Sequence, residues 1–232
     1  MLRAHDHAMT ESPSVAPRIL AGNPFANASV ASGYEDWYLG SGRRADELEK
    51  RLLHKLLRTL DGVKTVLEVG CGTGHFTRWF KELGYDAVGL DSSPEMLAEA
   101  RRRDAISYQI GDAQDLPFAA QSFDVVALIT TLEFVADPGK ALSEAVRVAR
   151  HGLLLGVLNH RSLLTWKHRR SAKPLWQAAH FFTLGELKSL VTDAAEDRLL
   201  DFHWRTTLWP VPGITDLPLP WGGFIGAVAK LA

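Results

Sequence analysis

The chain has 232 residues, with 26 Lys and Arg against 27 Asp and Glu, a net charge of −1 and 23% charged residues. That balance gives no global pull toward nucleic acid or an anionic membrane, and a single cysteine excludes an intramolecular disulfide. The length suits one α/β domain with a full core. No apolar run approaches the ~18 residues of a membrane span, and Met1 to His7 lack the apolar core of a signal peptide, so the expected location is cytoplasmic.

Residues 1–30 are rich in Ala, Ser, Pro and Asn without periodicity and are expected to form a mobile arm; His5, Asp6 and His7 read as solvated, and no metal site is expected. Tyr34 to Tyr38 form an aromatic cluster ahead of a helix predicted from Arg43 to Leu60. Its Leu48, Leu52, Leu53, Leu56 and Leu57 recur at helical spacing, and its alternating charges read as a solvated face. From Thr65 onward, strands and helices alternate as in a parallel sheet covered on both faces.

The most informative segment is Val66 to Phe76, where a short apolar strand runs through Gly70, Gly72 and Gly74 directly into a helix. Glycines there permit positive φ and close backbone approach to a ligand. A dinucleotide fingerprint reads G-x-G-x-x-G, whereas here the spacing is G-x-G-x-G and His75 stands in place of the third glycine. Glu68, two residues before Gly70, would repel a phosphate and attract an ammonium. A cationic, phosphate-free nucleoside fits this turn better than a dinucleotide.

The helix after Gly74 carries Phe76, Trp79 and Phe80 and stops at Gly84. A second strand closes on Gly89-Leu90-Asp91. Asp91 stands at a distance from Gly70 that suits an acid accepting hydrogen bonds from ribose hydroxyls. Ser93 as N-cap with Pro94 and Glu95 behind it starts the next helix, and Arg101, Arg102 and Arg103 favour its C-terminal dipole. Further helices are predicted from Asp137-Pro138 to near Arg150 and, by a capping box at Thr183 and Glu186, to about Ala194. Strands are predicted at Phe123–Ile129, Gly152–Leu158, Leu199–Thr206 and Gly223–Lys230.

These motifs resemble the class I S-adenosylmethionine-dependent methyltransferases, and most nearly the methyltransferase type 11 group, over roughly residues 34–158. Glu68 to Gly74 looks like the first motif of that family. Gly111 to Phe118 is similar to the segment whose Asp112-Ala113 pair holds the adenine, and Phe123 to Phe134 to the fourth strand and the loop beneath the methyl donor. The resemblance implies a Rossmann-like, doubly wound α/β fold with a seven-stranded sheet, mostly parallel with an antiparallel last strand. A single domain over 31–232 would carry substrate-side insertions at about 159–182 and 204–222.

The resemblance implies S-adenosylmethionine as cofactor, held by Glu68, Gly70, Cys71, Gly72, Gly74, Asp91, Ser92, Asp112, Ala113 and Thr130. Tyr34 and Tyr38 either contact the methyl donor, with a cation–π gain of roughly 0.5–2 kcal/mol, or pack a helix end. Met96 either covers the adenine or belongs to the core. Cys71 fills a place that needs a small residue, and no nucleophilic role is expected of it.

Ligands of open parallel sheets lie beyond the carboxyl ends of the strands. Glu133 and His160, each following a strand, are therefore candidate bases for an O-acceptor, or hydrogen-bonding and packing residues. The basic run of Arg161, Lys167, Arg169, Arg170 and Lys173 with His160, His168 and His180 is either the solvated face of an inserted helix or a site for an anionic group. Trp166, Trp176, Trp204, Trp209 and Trp221, stiffened by Pro210, Pro212, Pro218 and Pro220, either wall an aromatic pocket or pack over the core. The expected activity is methyl transfer by in-line displacement to a small-molecule acceptor, anionic or aromatic. The alternatives are an RNA or protein methyltransferase, a nicotinamide oxidoreductase and a non-catalytic S-adenosylmethionine-binding module.

Overall fold

The computed structural model describes residue 25 and residues 28–171, 173–211 and 213–232. His5, Asp6, His7 and Pro212 lie outside the described residues. The predicted arm lies outside them too, except for Phe25 and the start of α1 (Ala28–Gly33), which places the end of that arm inside a helix. A one-turn helix α2 (Asp36–Leu39) leads to α3 (Arg43–Leu57), three residues shorter than its leucine spacing suggested; Thr59 and Leu60 close its end as turns onto the carbonyls of Leu56 and Leu57.

The alternating region then supplies β1 (Thr65–Val69), α4 (His75–Glu82), β2 (Asp86–Asp91), α5 (Pro94–Arg103), β3 (Ser107–Ile110), β4 (Phe123–Ile129), α6 (Pro138–Val148) and β5 (Ala149–Leu158). Two short helices, α7 (Leu163–Arg169) and α8 (Pro174–Ala178), fill the first insertion, and α9 (Leu184–Ala195), β6 (Leu199–Thr207) and β7 (Phe224–Leu231) complete the chain. Residues 204–207 thus belong to β6, and the second insertion is the connection that follows Thr207. Among the described residues, no helix is long and apolar enough to cross a membrane.

The seven strands form one sheet in the order β3-β2-β1-β4-β5-β7-β6. Strands β1 to β5 pair in parallel, and β7 inserts antiparallel between β5 and β6, from Gly152 opposite Lys230 to Leu158 opposite Phe224. Because side chains alternate along a strand, β5 sends Leu153, Leu155 and Val157 into a core shared with α6 and α9, and Leu154 and Leu158 into a core shared with α3 and α4. Both faces are dry, which is why β4 and β5 read as unbroken apolar runs.

Helix starts follow local chemistry. The Ser93 hydroxyl accepts from Met96 N, Asp137 Oδ1 from Lys140 N, and Thr183 forms the full capping box with Glu186. The predicted solvated face of α3 is corrected at Glu49, which is only 7% exposed. One turn before Leu52 and Leu53, it occupies the apolar stripe that faces the sheet. Leu53 is fully buried in that stripe. Leu53→Ala is expected to cost about 2–5 kcal/mol, read as a lowered urea midpoint at unchanged slope.

Candidate active site

Backbone bonds set the site's geometry. Gly70, Gly72 and Gly74 all have positive φ, at 73°, 54° and 80°. Gly70 N and Cys71 N both donate to Leu90 O at 2.7 and 3.0 Å, so the turn after β1 is fastened to the end of β2. Asp91 then reaches back, accepting from Gly72 N at 2.7 Å through one oxygen and from Ser93 N at 2.8 Å through the other. A Cβ at Gly70 would overlap the Thr131 side chain, and one at Gly74 the Tyr108 hydroxyl. These two glycines are therefore required by space as well as by conformation.

Around this turn lies a cavity of about 410 Å³, within the size range of small-ligand sites. Of the residues the sequence assigned to a cofactor, Tyr34, Tyr38, Glu68, Gly70, Cys71, Gly72, Asp91, Ser92, Met96, Asp112, Ala113 and Thr130 line it. Gly74 does not; it ends the turn and starts α4. Phe134, at the end of the loop expected beneath the methyl donor, also lines the cavity, as do Phe25 and His75, which sequence reasoning had not assigned to a cofactor. Phe25 lies edge-on to Tyr34 and to Phe134 at 6.1 and 5.0 Å, so its ring closes one side.

His75 stacks on Tyr38 with ring centroids 3.7 Å apart, and its Nε2 lies 2.7 Å from Asp46 and 2.9 Å from Lys50. The residue in place of a third glycine thus packs the aromatic rim against α3. A second tie holds the same strap: Glu35 accepts from Thr73 Oγ1 at 2.7 Å and from Arg78 at 2.5 Å, and its other oxygen lies 3.3 Å from Arg103. Arg103 therefore makes a long-range ion pair in addition to its place at the end of α5.

Three carboxyls are buried here. The Thr77 hydroxyl donates to Glu68, whose carboxyl is pushed up to about 8 by burial. Glu49 is likewise pushed up to about 8 by burial, with the charges of Asp46 and Glu133 adding to the shift. Glu133 accepts from Leu158 N at 2.6 Å through one oxygen, while the other has no partner among the described residues; burial pushes it up to about 7. Burial also pushes Asp91 and the Cys71 thiol up, so Cys71 stays a thiol and its part in the turn is steric.

The two candidate bases do not line the cavity. Glu133 sits between the lining residues Thr131 and Phe134 but turns to the amide of Leu158. His160 is exposed, with its amide on Phe182 O and its ring 3.4 Å from Arg169. The five tryptophans of the C-terminal third also stay out of this cavity; Trp176 stacks on His168 at 4.0 Å and packs on the core, and Trp166 and Trp221 are exposed. Thr130 takes φ 53°, unusual for a β-branched residue. Its amide bonds Gly156 O at 2.7 Å, holding the strained turn against β5.

Comparison with known proteins agrees with this geometry. Residues 67–155 match the model of a methyltransferase domain family. The chain is 39% identical over 101 residues to a malonyl-acyl-carrier-protein O-methyltransferase of Yersinia pestis, covering 42% of this chain and 38% of that protein. It is 44% identical over 88 residues to a demethylmenaquinone methyltransferase of Renibacterium salmoninarum, covering 38% and 37%. The solved structure of an S-adenosylmethionine-dependent methyltransferase from Thermotoga maritima superimposes with a TM-score of 0.73 at 28% identity, over 88% of this chain and 96% of that one. Residues 67–155 carry a methyltransferase domain, and the fold is that of a solved S-adenosylmethionine-dependent methyltransferase. The chain spans well under half the length of the two curated relatives named.

The buried carboxyls give the fold a distinct pH dependence. A raised carboxyl binds its proton more tightly in the folded than in the unfolded chain, so its stabilisation is complete below the ordinary value of 4.5 and is lost as pH rises through the folded value. The unliganded protein is expected to lose stability between about pH 4.5 and pH 8. For Glu133 the raised value corresponds to roughly 3 kcal/mol. Urea unfolding at stepped pH should show a shallower decline in Glu133→Gln, and an unchanged decline would refute the assignment.

Proposed function

We propose that this methyltransferase transfers the methyl group of S-adenosylmethionine to a small-molecule acceptor. The observation that carries the reading is the convergence on one cavity of the glycine turn, Asp91, the Asp112-Ala113 pair and an aromatic rim of Tyr34 and Tyr38. A nicotinamide reading fits less well, because His75 stands where the dinucleotide turn needs glycine and is committed to Tyr38, Asp46 and Lys50.

The residues present fit the cofactor. Asp91 is fixed by two backbone amides and lines the cavity, and its carboxylate keeps acceptor capacity for ribose hydroxyls. Asp112 is oriented by Gln114, which donates to it from both its backbone N and its side chain. Glu68 is the carboxyl available to an ammonium, and Tyr34 and Tyr38 put aromatic rings into the cavity wall. When bound, the cofactor supplies a methyl group on a positively charged sulfur, already activated for displacement.

The protein's task is then alignment and exclusion of water, for which orientation alone supplies roughly 7–11 kcal/mol. Glu133 acts in this reading as a positioning residue, because its bond to Leu158 N fixes the ends of β4 and β5. His160 is too far outside the cavity lining to be carried into the mechanism. The acceptor is proposed to be an anionic or aromatic small molecule, and the aromatic rim of Phe25, Tyr34, Tyr38 and Phe134 supports the aromatic reading.

Calorimetric titration with S-adenosylhomocysteine tests the reading. Binding is expected, with NAD giving none, and Asp91→Ala should weaken it about tenfold to a hundredfold, the worth of hydrogen bonds to a charged group. Folded protein that binds NAD and not S-adenosylhomocysteine would overturn the proposal. A second outcome is specific to Glu68. Its carboxyl, mostly protonated at neutral pH, should ionise beside an ammonium and release a proton. The binding enthalpy should therefore vary with the ionisation enthalpy of the buffer, and that dependence should vanish in Glu68→Gln.

A further inference from the structure

Between Glu144 and Glu186 the sequence contains no acidic residue, although the whole chain is balanced at −1. Within that stretch Arg161, Lys167, Arg169, Arg170 and Lys173 are exposed, and none forms an ion pair among the described residues. Helix α7 in their midst is built inside out. Its N-cap Ser162 and its Thr165 face inward, buried and hydrogen-bonded to one another at 3.1 Å, while Leu163 and Trp166 are 67% and 54% exposed. A helix that packed for stability would place these residues the other way round.

A second exposed tryptophan lies on a segment bonded to the base of the helix. Asn159 Nδ2 donates to Pro220 O and Gly222 O at 2.9 and 2.8 Å, tying the base of α7 to the β6–β7 connection, where Trp221 is 55% exposed. Arg170 lies over the Trp166 ring at 4.2 Å, so cation and indole form one outward unit. The face also sits at the catalytic end of the sheet, since the first insertion is joined to the loop after β4 through His180 N on Glu133 O.

We propose that this face docks on an anionic phospholipid surface, with Leu163, Trp166 and Trp221 entering the headgroup region and the five cations meeting the lipid phosphates. Indole rings and aliphatic side chains beside Lys and Arg are the composition of an interfacial membrane element. Each cation near such a surface strengthens binding about fivefold, and the gain is screened by salt. The site would then take an acceptor that partitions into the membrane.

Co-sedimentation with vesicles tests this without cofactor or substrate, so its failure would leave the methyl-transfer reading untouched. The full chain is expected to bind vesicles of equal parts phosphatidylcholine and phosphatidylglycerol, to release them in high salt, and to ignore phosphatidylcholine alone. Lys167→Gln/Arg169→Gln/Arg170→Gln should weaken binding about a hundredfold, by about fivefold per cation. Leu163→Ser/Trp166→Ser should weaken it as well, with the thermal midpoints of both variants unchanged because the replaced side chains are exposed. Absence of binding to the mixed vesicles, equal binding to both compositions, or triple-variant binding equal to the parent overturns the proposal. Binding of purified acyl carrier protein to this face, with no binding to the vesicles, overturns it in favour of an acidic protein partner.

Discussion

The carbonyl of Leu90 is the point from which the site is hung. Two consecutive amides, of Gly70 and Cys71, converge on it, and the next residue, Asp91, closes the circuit by accepting from Gly72 N. This fastens the end of β1 to the end of β2 through two main-chain bonds on Leu90 O and one side-chain carboxylate, that of Asp91. Gly70 leaves room for Thr131, whose hydroxyl bonds Val69 O at 2.9 Å and draws the end of β4 into the same knot. Three strand ends are thereby held at fixed distances before any ligand enters, which is preorganisation in its plainest form.

Against that ordered frame stands an electrostatic cost. Glu49, Glu68 and Glu133 are all at least nine-tenths buried, and none forms an ion pair among the described residues. A domain selected for stability alone would replace such groups with apolar residues. Of the three, Glu68 lines the cavity and Glu49 and Glu133 do not, and burial pushes all three carboxyls up toward the neutral range. Elsewhere the same fold handles buried acid conventionally. Asp124, although burial opposes its charge, is drawn down to about 2 by the amides of Lys64 and Thr65 and by Arg150.

What could be read from the sequence is what local chemistry decides. The glycine turn, the Ser93-Pro94-Glu95 start, Asp137-Pro138 and the Thr183 capping box are local signals, and the structure forms each where the residues demand it. Long-range choices were not legible. The edge strand β3 buries only Tyr108 fully and so carries almost no apolar pattern. The burial of Glu49 was masked by its neighbours' charges although its spacing from Leu52 and Leu53 pointed inward. Phe25 and His75 reach the cavity through ring contacts between distant segments, and the left-handed turn at Thr130 is imposed by Gly156 O.

The acceptor side follows a different logic from the cofactor side. There the connecting elements are held by scattered polar bonds: Glu133 to Leu158 N, His180 N to Glu133 O, Asn159 to the carbonyls of Pro220 and Gly222. Such bonds tolerate many side chains at the intervening positions, so those positions carry no motif that a reader of sequence can decode. They also meet the cofactor frame at few points, chiefly the Thr130 to Phe134 loop. A domain joined in this way can exchange the residues between Asn159 and Phe182, and those between Thr207 and Phe224, without disturbing the Leu90 knot. That separation is why the cofactor is legible from the turn while the acceptor is not.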